Sequence, residues 1–255
     1  MVWRWAAARA TGRSHLKSGL PCQDRFGVQL LANGTLIAAL ADGAGSAVRG
    51  EVGAETAVLT VLSSLHKSLN EGATDLKSLV QDAVGEARQA VIAVAERDQQ
   101  DIRQYASTLL AVVLTNEGGA AAQIGDGVIV VKRDHEEWAW ILWPQRGEYT
   151  NTTFFLTDPA ATQRLEVEGF PGPITDLALM SDGLECLALR YADQTVHQPF
   201  FNGMFRSLVL EQGSDEIKTF SDSLKDYLAS EPISSRTDDD VSIILATRRP
   251  TGASI

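Results

Sequence analysis

The stretch that most constrains this chain is Leu36-Ile-Ala-Ala-Leu-Ala-Asp42-Gly43-Ala-Gly45-Ser-Ala, an apolar run that ends on one carboxylate and two closely spaced glycines. A run that is apolar at every position and no longer than a strand predicts a strand buried on both faces. Helical periodicity follows, so Asp42 falls at a strand end, where a rigid scaffold hands a polar group to a cleft and glycine allows close backbone approach. Asp42 is a candidate metal ligand on this reading. On the turn alone, Asp42 or Ser46 capping a helix is the commoner explanation.

The pattern recurs. Gln-Ile124-Gly125-Asp126-Gly127, Leu-Met180-Ser181-Asp182-Gly183 and Asp238-Asp239-Asp240-Val-Ser-Ile-Ile-Leu-Ala each set a carboxylate against a strand-like apolar run. Caps need no such recurrence, whereas hard divalent cations need several oxygen ligands converging from different strands. Those strands lie far apart in the chain and must meet, which favours one catalytic domain over residues 1–248 with a tail at 249–255.

Charge and cysteine content narrow the function. The net charge of −11 argues against a nucleic-acid surface, which needs clustered Lys and Arg. Cys22 and Cys186 form no CxxC pair and lack a nearby His at ligand spacing, so neither a disulfide framework nor a structural zinc site is expected. No apolar run reaches the length of a membrane span, and Met1 to Arg9 lacks the apolar core of a signal peptide, so a cytoplasmic protein is expected.

In chain order, Val2–Arg9 and Arg25–Leu31 read as strands. The polar connector between them gathers Arg13, His15 and Lys17 ahead of Gln23-Asp24, and fits a phosphate-binding arm and a solvated loop equally. Two amphipathic helices follow, one carrying Val48, Val52, Val58, Val61, Leu62, Leu65 and Leu69, the next Leu76 to Val91 with Asp75 as its cap. From Thr108 strands are expected at 108–115, 120–124, 128–132 and 137–143, joined as an antiparallel meander, with Trp138, Trp140 and Trp143 packing half-buried on the sheet. Pro144–Thr153 reads as a loop over a cleft. Strands at 153–156 and 177–180, helical stripes at 201–209 and 217–228, and a last strand at 241–246 complete the chain, with Arg248–Ile255 frayed. This order lacks strict βαβ alternation and predicts an α+β, four-layer α-β-β-α sandwich, two antiparallel sheets packed face to face and flanked by helix pairs.

Rival chemistries fail on residues. A dinucleotide fingerprint needs glycine where Val48 stands, there is no GxSxG or GxxxxGK[ST], and a thiol phosphatase needs arginine where Val28 and Ala192 stand. Metal-activated water is left.

Gln23-Asp24, Ala41-Asp42-Gly43-Ala44-Gly45, Ser107-Thr108, Ile124-Gly125-Asp126, Met180-Ser181-Asp182-Gly183 and Asp239-Asp240-Val-Ser-Ile-Ile fall in the order and rough spacing of the metal-dependent protein phosphatase 2C family. The chain resembles its compact bacterial branch from residue 23 to 245. The resemblance implies a protein serine/threonine phosphatase using two magnesium or manganese ions. Asp42 would bridge them, Gly43 would ligate one through its carbonyl, and Asp182 and Asp239 would complete the other's shell. Asp24 would act on the first pair through water, and Asp126 would hold a third, looser ion. Catalysis is thus placed on Asp42, Asp182 and Asp239, and phosphate binding on Arg13, His15 and Lys17.

Two departures stand out: Gly19 occupies the place of a basic residue that grips phosphate in many members, and Ala44 that of a histidine some members use toward the leaving group. The substrate implied is a phosphorylated protein, with a serine/threonine kinase or its target as partner. A phosphoesterase acting on a small molecule and a catalytically weak regulatory member remain as alternatives.

Overall fold

The structure, a computed structural model, describes residues 1–146, 153–210 and 214–250. In chain order the elements are β1 (Val2–Ala10), α1 (Arg13–Ser18), β2 (Arg25–Leu30), β3 (Leu36–Ala41), α2 (Gly50–Asn70), α3 (Leu76–Arg97), β4 (Leu109–Leu114), β5 (Gly118–Ile124), β6 (Val128–Arg133) and β7 (Ala139–Leu142). They continue as α4 (Ala161–Arg164), β8 (Glu166–Pro171), β9 (Ile174–Met180), α5 (Glu185–Ala188), β10 (Leu189–Arg190), β11 (Thr195–Val196), α6 (Gln198–Leu210), α7 (Ser214–Leu228), α8 (Glu231–Ser234) and β12 (Val241–Arg249).

Two five-stranded antiparallel sheets result, ordered β1-β12-β9-β6-β7 and β2-β3-β4-β5-β8. Strand alternation divides the apolar side chains between layers. Leu36, Ala38 and Leu40 of β3 face the opposite sheet with Leu110, Val112, Leu177, Leu179 and Ile244, while Ile37, Ala39 and Ala41 face α2 and α3. Ile243 and Leu245 of β12 face Phe201, Phe205 and Leu224 of α6 and α7. Three apolar layers thus separate four layers of structure, as the all-apolar strands predict. Asp75 caps α3 by accepting a hydrogen bond from the Ser78 amide at 3.3 Å. Trp138 packs on Phe205 with ring centroids 4.5 Å apart and donates its Nε1–H to Asn202. Among the described residues no helix is long and apolar enough to cross a membrane.

Several expectations are corrected. Residues 108–143 are not one meander: β4 and β5 pair in one sheet, β6 and β7 in the other. The Gly125-Asp126-Gly127 turn carries the chain between sheets, with Gly125 at φ +104°, a conformation that favours glycine. The connector before Gln23 holds a six-residue helix, α1. Helix α2 starts at Gly50, and Val48 stands exposed, so its apolar side chain is no part of the stripe. Residues 153–156 are loop, although Leu156 is fully buried against the α2–α3 layer, and β8 forms an unexpected edge strand. Strand β12 extends to Arg249 because β1 pairs with it from Val2 onward, which removes Arg248 and Arg249 from the expected tail. Most of the expected loop over the cleft, 147–152, and residues 251–255 lie outside the described residues.

Candidate metal centre

Antiparallel pairing places the end of β3, the starts of β2 and β4, and the β5–β6 turn at one end of their sheet. The end of β9 and the start of β12 lie together in the other sheet. Every aspartate expected to hold a cation, Asp24, Asp42, Asp126, Asp182 and Asp239, sits on one of these termini.

The turn after β3 is clamped to the start of β4. The Asp42 amide donates to Thr108 Oγ1 at 3.0 Å, the Thr108 amide to the Asp42 carbonyl at 2.8 Å, and the Ala44 amide to the Ala106 carbonyl at 2.9 Å. Gly43 bridges to Ser107, and a Cβ on it would come within 2.6 Å of the Gly50 carbonyl carbon, so only glycine lets the turn lie flat on the start of α2. Ser181 and Ser242 fasten the other sheet. The Ser181 amide donates to the Ser242 carbonyl at 3.1 Å and the Ser242 amide to Ser181 Oγ at 2.9 Å, which sets Asp182 beside the acidic triplet. Gln145 holds the β5–β6 turn, its Oε1 accepting from the Gly125 amide at 2.9 Å. Arg9 and Arg25 both donate to the Asp24 carbonyl.

The carboxylates so positioned feel one another. Asp24 is fully buried, and neither of its carboxylate oxygens has a hydrogen-bond partner of ordinary geometry; Asp182 Oδ1 is also buried and unpartnered. Burial raises the Asp24 carboxyl to about 6, partly offset by the adjacent Asp42, Ser181 and Ser242 side chains, and Asp240 raises it further. Burial, then repulsion from Asp126, Asp239 and Asp24, raises Asp182 to about 8. Asp42 is pushed well above the usual carboxylate range by burial, then by Asp24, Asp182 and Asp239. Asp126 and Asp239 are raised as well, burial again leading. Asp24 forms the floor, Asp42, Asp126 and Asp182 are partly exposed, and Asp239 stands exposed at the mouth.

Unpartnered oxygens within a cluster of like charges are what an all-oxygen site for a hard divalent cation requires, and Asp24, Asp42, Gly43, Asp126, Asp182 and Asp239 fit such a group. Among the described residues, the trio whose ligand atoms lie within 4.8 Å of one another is Cys22, Asp24 and Asp240. Burial, then the neighbouring Asp24 and Asp240, raises the Cys22 thiol far above its ordinary range, so it is a neutral neighbour of the cluster in the metal-free protein.

The basic residues divide. Helix α1 docks on the acidic triplet: Arg13 Nε pairs with Asp238 at 3.0 Å and His15 Nδ1 with Asp240 at 2.8 Å. Among the described residues no cation pairs with Asp239, and Lys17 makes no ion pair. Asp240, next to the Asp239 expected as a ligand, is 1% exposed, and its oxygens also accept from the Gly12 and Gln23 amides at 2.7 and 2.6 Å. No local signal marks it, because its partners lie more than two hundred residues away. Arg146 is also unanticipated: it pairs with Glu185 at 3.0 Å and stacks 4.3 Å over the Tyr191 ring near Asp126.

A helix-flanked double sheet carrying clustered aspartates at one end of its strands defines a class of metal-dependent phosphoesterases. The sequence matches the Protein phosphatase 2C family over residues 11–229, and the chain belongs to that family. It is 34% identical to serine/threonine-protein phosphatase 3 of Escherichia coli (strain K12) over 251 residues, 96% of this chain and 98% of that protein. The fold is similar to the catalytic domain of the serine threonine protein phosphatase PstP in complex with 2 manganese ions, with TM-score 0.64, 20% identity, and 96% and 98% of the two chains covered. It is also similar to the serine/threonine phosphatase Stp1 from Staphylococcus aureus, with TM-score 0.60, 16% identity, and 98% and 96% covered. A C. elegans sex determining protein shares the fold at TM-score 0.70 and 12% identity; the match covers 98% of this chain but only 66% of that longer one.

Proposed function

We propose that this chain hydrolyses phosphoserine and phosphothreonine in proteins, holding two divalent cations, magnesium or manganese, on Asp42, Asp182, Asp239 and the Gly43 carbonyl. Asp24 would act on that pair through water, and Asp126 would hold a third, looser ion. One observation carries the reading: both buried carboxylate oxygens of Asp24 and Oδ1 of Asp182 have no hydrogen-bond partner of ordinary geometry inside a cluster of five aspartates. Bound cations supply the acidity that lets water act as nucleophile at neutral pH and the charge that neutralises a phosphoryl group.

The protein's own contribution is placement. Two sheets hold their strand ends rigidly, the Asp42–Ala44 turn is clamped on Ser107 and Thr108, and the Ser181–Ser242 pair fixes Asp182 against Asp239. Arg13, His15 and Lys17 all lie on α1, Arg13 paired with Asp238, His15 with Asp240 and Lys17 without an ion partner among the described residues, and in this reading the phosphoryl group is met from that docked helix. The substrate in this reading is a phosphorylated protein, and the partner a serine/threonine kinase or the kinase's target.

The test is release of phosphate from phosphoserine and phosphothreonine peptides with manganese, with magnesium and with chelator. Turnover that needs the metal and exceeds that of small phosphometabolites is expected. Metal-independent turnover, or faster turnover of a metabolite, would contradict the proposal.

A further inference from the structure

Resting on that reading, we propose that His15 is a catalytic residue that gives the departing serine or threonine oxygen its proton, and that Asp240 is the positioning residue that holds it there. The side chain of His15 is 7% exposed and that of Asp240 1%. Nδ1 of His15 lies 2.8 Å from Asp240 Oδ2, and the same carboxylate is anchored by the Gly12 and Gln23 amides, so it cannot swing away. The ring is therefore fixed in orientation. Its Nε2 makes no hydrogen bond among the described residues and faces the Asp42–Gly45 turn: a Cβ on Gly45 would stand 3.7 Å from it. His15 also acts electrostatically on Asp239, which places the ring beside the cluster.

Chemistry calls for such a group. An alkoxide is a poor leaving group near neutral pH, and the five aspartates are committed to cations on the proposed function. Among the described residues His15 is the only histidine beside the cluster: His66 faces Gln29, His135 Asp134, and His197 the Leu187 carbonyl. A histidine whose Nδ1 is pinned by a buried carboxylate holds Nε2 in a fixed direction, from which the ring exchanges a proton with a reacting group. In the step, the oxygen of a water forms the new bond to phosphorus as the bond from phosphorus to the seryl or threonyl oxygen breaks with its electron pair. A proton on Nε2 goes to that oxygen, and the proton shed by the water replaces it on Nε2. Atoms and charge balance, and the products are inorganic phosphate and a free hydroxyl.

The experiment compares His15→Gln and Asp240→Asn with the unchanged chain on a phosphoserine peptide and on p-nitrophenyl phosphate, whose leaving group departs without a proton. Manganese affinity is measured on the same samples by calorimetry. For His15→Gln a fall in kcat of about 10²-fold on the peptide is expected, against less than about 3-fold on the aryl ester. Asp240→Asn should show the same asymmetry more weakly, and neither should change manganese affinity by more than about 3-fold. Equal losses on both substrates, or a rise in KM alone, would overturn the proposal and return His15 to a structural or phosphate-gripping role. If His15→Gln does not fold, the asymmetry in Asp240→Asn decides alone, and its absence overturns the proposal. Failure of the unchanged chain to hydrolyse either substrate with manganese would instead sink the proposed function.

Discussion

The middle of the sandwich and its site end are built from the same strands under opposite rules. Between the sheets, Leu36, Leu110, Leu114, Leu179 and Ile244 are apolar and almost wholly removed from water. A few residues on, the strands of Leu36, Leu179 and Ile244 reach Asp42, Asp182 and Asp239, carboxylates that repel one another, and Asp24 and Asp182 carry buried oxygens with no hydrogen-bond partner of ordinary geometry. The dry layer holds the acidic end in place, and the acidic end lowers the stability of the metal-free protein. Function is concentrated where local stability is poorest, as expected of a site prepared for a ligand.

Substitutions should separate the two regions. Asp42→Asn or Asp182→Asn should cut turnover by at least about 10²–10³-fold, because each removes charge on which the reaction depends. The same variants should raise the Tm of the metal-free protein, since each removes a repelling carboxylate; a lower Tm in chelator would break the contrast. Leu114→Ala, deep in the other region, should cost about 2–5 kcal/mol in denaturant unfolding. The folded fraction of that variant should keep its manganese affinity.

Titration sharpens the comparison. Asp24 and Asp182 have folded pKa values of about 6 and about 8 against an ordinary 3.8. A carboxyl raised in the native state binds more protons folded than unfolded, so its stabilisation is fully present below pH 3.8 and lost as pH rises through the folded value. Metal-free protein should accordingly lose Tm between about pH 4 and pH 8, and saturating manganese should reverse much of that loss, because the ions bind the carboxylates as anions. A pH-independent Tm in chelator would show that the cluster is not strained. The smallest effect is expected for Asp75→Ala at the α3 cap, a slight fall in Tm with kcat unchanged.

Much of this was legible in sequence because burial on both faces leaves a plain mark. Leu36–Ala41 and Leu109–Leu114 are apolar throughout, and the carboxylates at Asp42, Asp126 and Asp182 stand out against such runs with glycine beside them. What escaped reading is long-range or locally ambiguous. The Gly125-Asp126-Gly127 turn looks like a hairpin turn whether the next strand pairs in the same sheet or crosses to the other. Helix α1 is too short to show a period, and β8 is an edge strand with only Phe170 buried, so its pattern is faint. Asp240 reads as part of a solvated triplet until folding brings Gly12, His15 and Gln23 against it.

The most direct test of the central claim is anomalous diffraction from crystals of the unchanged chain soaked in manganese. The account predicts manganese peaks within bonding distance of Asp42, Asp182 and Asp239, at the shared end of the two sheets. An empty cluster, or manganese bound only elsewhere, would contradict it.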